Sequence, residues 1–154
     1  MEISLAYIIG GTVRGTVNGI LVMLLSVILI DMPLQQPVAT IGFIVMVSWS
    51  FASMGLVLGQ LSDSWDQLAM MQNFFLTPLS FLGGIFYSVN MLPDWAQTLS
   101  FFNPIYYMIN GIRFTILGVA DSPPMTSFTM ALIMTIFFTV SAIMLMRSGK
   151  NIKQ

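Results

Sequence analysis

Charge-free stretches of the chain include Gly15–Ile30, the 31 residues Met32–Ser62, Gln67–Pro93 and Ser122–Met146. A helix needs about 18 or more mainly apolar residues to cross a hydrocarbon layer roughly 30 Å thick. Breaks fall at the turn-rich Asp31-Met-Pro-Leu-Gln-Gln-Pro37 and at the polar Ser62–Asp66. The pattern therefore predicts spans at about residues 4–30, 38–61, 67–86 and 126–146. Pro78 lies inside the third, and Gly83-Gly84 near its end, so that helix is expected to kink and then weaken.

Residues 88–121 follow a different pattern. Leu92-Pro93 reads as a helix start, after which Trp95, Leu99 and Phe102 recur on one face. Asn103-Pro104 breaks that face and opens a second short helix. There Ile105, Ile109, Ile112 and Ile116 form an apolar stripe, with Tyr106, Asn110 and Arg113 on another side and Gly118 as C-cap. Helices of about 11–14 residues rise only about 16–21 Å and cannot span. Residues 92–118 are thus expected to dip into the membrane and return. The fold class expected is an all-α membrane protein: four transmembrane helices plus a short extracytoplasmic re-entrant helical hairpin before the last span. No internal repeat or linker divides residues 1–154, which read as one transmembrane domain.

Composition agrees: 56% of residues are hydrophobic and 7% charged, with a mean hydropathy of +0.88. The absence of Cys and His excludes thiol and imidazole catalysis, disulfides and Cys/His metal sites. Glu2, Asp31, Asp63, Asp66, Asp94 and Asp121 all fall at the ends of apolar runs or between them. Asp63 and Asp66 read as a solvated loop rather than a carboxylate dyad, because Ser64-Trp-Asp-Gln67 has capping-box spacing. A net charge of −1 gives no reason to expect nucleic acid. No catalytic, cofactor or metal residue stands out.

The few cations set an orientation. Arg147, Lys150 and Lys153 follow the last span, so the C-terminus, and with four crossings the N-terminus, is expected in the cytoplasm. Met1-Glu2 lacks the positive start of a signal peptide. Arg14 precedes 16 uncharged residues that rise about 24 Å, so it is expected near one headgroup layer. Gly11, Gly15 and Gly19, like Gly55 and Gly59, have the four-residue spacing of close-packing helix faces, within one chain or between two. Trp49, mid-span, is expected to face the bundle or a pathway rather than lipid.

Phe74-Phe-Leu-Thr-Pro-Leu-Ser-Phe-Leu-Gly-Gly-Ile-Phe-Tyr-Ser88 is followed by Leu92-Pro-Asp-Trp95, Asn103-Pro-Ile-Tyr-Tyr107, Arg113 and Leu117-Gly118. This order resembles the C-terminal part of ABC-2-type transporter permeases, the membrane subunits of bacterial exporters of drugs, lipids and polysaccharides, including the nodulation-factor exporter type. The resemblance covers Phe74–Lys150 strongly and the first two helices more loosely. It implies that Pro78, Gly83, Gly84, Pro93, Asn103, Pro104 and Arg113 build a hairpin or gate, and that two permease copies work with two copies of an ABC ATPase subunit. ATP would sit on that partner, since the chain has no GxxxxGK[ST] loop. Such permeases have six spans, so by resemblance the chain starts at the third and lacks the cytoplasmic element that seats on the ATPase. The implied setting is the bacterial inner membrane and the implied cargo an amphipathic lipid, polysaccharide or drug-like molecule. The chain would be a transporter subunit, not an enzyme.

Two other readings stand beside it. A self-contained proton-coupled multidrug carrier would need a protonatable group inside the membrane. A non-transporting scaffold subunit needs nothing that this sequence lacks. For Arg113 itself there are also two readings: a side chain that orients the hairpin from its aqueous face, or one that merely snorkels.

Overall fold

The computed structural model describes residues 2–147, and these are helical with no strand among them. In chain order they are α1 (Glu2–Ile30), α2 (Pro37–Leu61), α3 (Trp65–Met71), a π-helical turn (Gln72–Leu76) and α4 (Thr77–Leu82). After a 3-10 turn (Val89–Met91) come α5 (Asp94–Phe101), α6 (Pro104–Leu117) and α7 (Pro124–Arg147). Three helices, α1, α2 and α7, are long and apolar enough to cross a membrane. The third expected span, residues 67–86, takes another form: a helical run over 65–82 interrupted by the π turn. Pro78 has no N–H to continue the ladder, and the widened turn lies just before it. The run starts at residue 65 because Ser64 caps it, its Oγ accepting the Gln67 N–H at 3.2 Å while Gln67 Oε1 accepts the Asp63 N–H at 2.8 Å. It stops at Leu82 because Gly84, at φ 79°, leaves the helical region. Lys150 and Lys153, on which the orientation argument leans, lie outside the described residues.

Between membrane helices the hydrophobic effect supplies little attraction, so close backbone approach matters. A Cβ added at Gly11 would lie 2.9 Å from Ala52 Cβ, one at Gly15 3.0 Å from Ser48, and one at Gly19 2.8 Å from Ile44 Cγ2. Each four-residue step along α1 matches a four-residue step back along α2, an antiparallel register that only glycine permits. Gly55 and Gly59 are not part of this seam: among the described residues nothing lies within 4 Å of a Cβ built at either.

The same register sets the level of Arg14 along α2. It stands level with Trp49, the middle residue of α2, about 18 Å from either end of that helix.

Hydroxyls join α2 to α7. Trp49 Nε1 donates to Thr139 Oγ1 at 3.0 Å, Ser53 Oγ lies 3.1 Å from the same oxygen, and Thr139 in turn donates to Thr135 O at 2.6 Å. Every polar atom in that chain has a partner, as hydrocarbon surroundings demand. Nearer the hairpin, the Phe43 ring lies against Gly111 of α6 so closely that no Cβ would fit, and packs with Met108 and Ala131. The C-terminal carbonyls of α6 are met by the 31–36 loop: Gln35 N–H donates to Ile116 O and Gln36 N–H to Thr115 O, both at 3.1 Å. The hairpin therefore sits at the end of the bundle where α1 stops and α2 starts.

Overpacking tests the glycine seam. Gly15→Leu is expected to pry α1 from α2 and cost about 1–3 kcal/mol of stability, whereas Gly55→Leu should change it by no more than about 0.5 kcal/mol. Thermal unfolding in detergent reads both.

Candidate functional site

The site is built where the third helical run ends. Gly83 continues the helical bend, its N–H donating to Leu79 O at 2.8 Å, and Gly84 then turns the chain through the left-handed region. Residues 85–88 have no regular ladder, so their backbone groups need other partners. Arg113, on α6, supplies them. Its Nη2 donates to Gly84 O and reaches Tyr87 O at 3.4 Å, while its Nη1 pairs with Asp121 Oδ2 at 2.9 Å. Asp121 completes the staple from the α6–α7 loop: it accepts Ser88 Oγ–H at 2.7 Å and the Val89 N–H at 3.1 Å. One ion pair thus fastens the glycine bend to the segment that starts the last span.

Asn110 fixes that segment. Its Oδ1 accepts the Asp121 N–H at 2.7 Å, and its Nδ2 donates toward Ser127 Oγ at 2.8 Å and Ser122 Oγ at 2.9 Å. Asn103 does the equivalent work at the start of α6. Its Oδ1 caps the Ile105 N–H at 3.0 Å while its Nδ2 donates to Leu79 O, across to the third run. Ser100 of α5 adds a contact to Leu82 O at 2.8 Å. Tyr107 and Tyr87 hydroxyls close on Phe101 O and Phe81 O. The side chains of Arg113 and Asp121 are 20% and 9% exposed, so their attraction is less screened than at an open surface, and each charge also holds neutral partners.

Of the residues singled out in sequence, Gly83, Gly84, Asn103 and Arg113 meet here. Pro93 is the N-cap of α5 and Pro104 the first residue of α6, both shaping the hairpin, while Pro78 is exposed on α4. Trp49 lies in the α2–α7 seam, and Gly11, Gly15 and Gly19 in the α1–α2 seam, both apart from this site. Arg113 was expected to point to the headgroup or aqueous side of the hairpin, beside Tyr106 and Asn110. In the structure this side of α6 packs inward: Tyr106 and Asn110 are each 1% exposed. The physical reason is the bend at Gly84, whose bare carbonyl and neighbouring N–H groups need donors and acceptors that only this side offers. Asp121, Ser88, Ser122 and Ser127 were missed. The available signal was an acid eight residues after Arg113, just beyond the left-handed C-cap Gly118.

The ABC-2 type transporter family model matches residues 1–117. This chain belongs to the ABC-2 type transporter family. It is 34% identical over 147 residues to the inner membrane transport permease YadH of Escherichia coli K12, covering 96% of this chain and 57% of that protein. It is 38% identical over 69 residues to nodulation protein J of Rhizobium leguminosarum bv. viciae, covering 45% of this chain and 27% of that protein. The chain therefore spans little more than half the length of the YadH permease. No solved structure matches it significantly. Family membership and the three long apolar helices together mark it as part of a multi-pass membrane protein of the ABC-2 type transporter family.

Removing the guanidinium should free the bend. Charge-assisted hydrogen bonds contribute about 1.5–3 kcal/mol each, so Arg113→Leu is expected to speed amide exchange across residues 84–89 by at least about tenfold. Arg113→Lys, a point charge that cannot span both acceptors, should recover only part of the protection. Exchange mass spectrometry in detergent measures both.

Proposed function

We propose that this chain forms the membrane pathway of an ATP-binding-cassette exporter, with ATP bound and hydrolysed on a separate ATPase subunit. The observation that carries this reading is the stapled hairpin on a chain of the ABC-2 family. A bend at the end of one helical run, tied through Arg113 and Asp121 to the start of the last span, lets a movement of either helix carry the hairpin with it. Two permease copies enclose the route. ATPase closure on the cytoplasmic side, where both termini lie, rocks the helices and opens the hairpin end outward. The third run lines the route, and the hairpin gates it. The cargo is amphipathic, in keeping with a bundle rich in adaptable apolar side chains: 14 Met, 12 Phe, 4 Tyr and 3 Trp.

Vesicles containing the permease assembled with its ATPase, loaded with a fluorescent short-chain phospholipid, test the proposal. Movement of the probe should require ATP and be indifferent to a protonophore. Movement that follows a proton gradient without ATP would replace the proposal with a self-contained carrier.

A further inference from the structure

The staple accounts for Arg113; it leaves Arg14 unexplained. Among the described residues Arg14 has no hydrogen-bond or ion-pair partner, and its side chain is exposed on α1. Its depth makes that costly. The α1–α2 register sets it level with Trp49, and Trp49 is bonded to Thr139, eight residues or about 12 Å from the end of α7. Arg14 is therefore more than two helical turns inside the bundle on every neighbouring helix. An arginine so placed needs a counter-charge or a water-filled cavity. No acid of this chain is available: Glu2, Asp31, Asp63, Asp66 and Asp94 stand at helix ends or loops, and Asp121 is bound to Arg113. A second copy facing it with the same surface would only add a second arginine.

The surface beside Arg14 has a shape of its own. Ala6, Tyr7, Gly10, Gly11 and Arg14 line an open hollow of about 540 Å³. A Cβ built at Gly10 meets nothing within 4 Å, so this side of α1 is bare backbone, distinct from the direction that Gly15 and Gly19 present to α2. Such a floor lets another helix come close. We propose that this face of α1 receives a further transmembrane helix bearing a carboxylate at mid-membrane depth, paired with Arg14. Charge selects the partner's side chain and Gly10 admits its backbone. Lipid phosphate fits less well, because it lies at the membrane surface while Arg14 is deep in the slab. The proposal requires only that α1 crosses the membrane, so it succeeds or fails independently of the ATP-driven reading.

The chain has no cysteine, so Glu2→Cys gives a single site for a donor dye at the exposed end of α1. The probe is a synthetic transmembrane helix of leucine and alanine carrying an acceptor dye and a central Glu, Gln or Leu. Energy transfer is measured in phosphatidylcholine vesicles and again with phosphatidylglycerol present. The Glu helix should associate at least tenfold more tightly than the Leu helix in both lipids. Arg14→Leu and Arg14→Gln should each abolish that preference, and Gly10→Leu should weaken binding of the Glu helix. Equal association of the three helices, or a preference that survives loss of Arg14, would overturn the proposal. A preference lost when phosphatidylglycerol is added would overturn it in favour of a lipid phosphate.

Discussion

Hydrocarbon offers a backbone no hydrogen bonds, and this constraint governs the molecule. Long helices satisfy themselves; bends cannot. Between Leu82 and Pro124 the chain bends repeatedly, and at each bend a side chain replaces the missing ladder. Asn103 reaches Leu79 O, Ser100 reaches Leu82 O, Arg113 takes Gly84 O, and Asp121 takes the Val89 N–H. The backbone of Gln35 and Gln36 meets the carbonyls that α6 leaves open. The helical hairpin holds its shape because those partners exist.

The constraint also distributes stiffness. Glycines and hydroxyls hold α1, α2 and α7 together along their lengths. The third helical run is attached differently: Ser62 Oγ lies 3.7 Å from Met71 Sδ just before the π turn, and the hairpin grips its last turn. Between these points are the π turn and a small apolar gap of about 100 Å³ beside Met54, Leu76 and Met108. A run held on either side of a wide turn concentrates any change of shape at that turn. In a transporter, this gives movement at one end of the run a route to the other.

Much of this could be read from residues alone. Charge-free runs located α1, α2 and α7 to within about two residues, and Asn103-Pro104 and Gly118 marked both ends of α6. Gly11, Gly15 and Gly19 marked a real seam because spacing by four survives any choice of partner. What spacing left open was azimuth. Spacing cannot say which side of α6 faces inward, since a polar stripe suits water or a bend that needs donors equally well. Arg14 was placed by counting from one end of α1, whereas the α1–α2 register adds that it stands level with Trp49 at the middle of α2. Asp121 was passed over because its partner lies across a helix cap, a relation invisible to periodicity.

The central claim is that Arg113 and Asp121 act as one fastening. A double-mutant cycle measures this directly: thermal unfolding of Arg113→Leu, Asp121→Asn and the double variant in the same detergent. If the pair is one fastening, the double variant should be no less stable than the worse single one, with a coupling of about 1–3 kcal/mol. Losses that simply add, within about 0.5 kcal/mol, would mean that the two residues act separately and that the hairpin is held by something else.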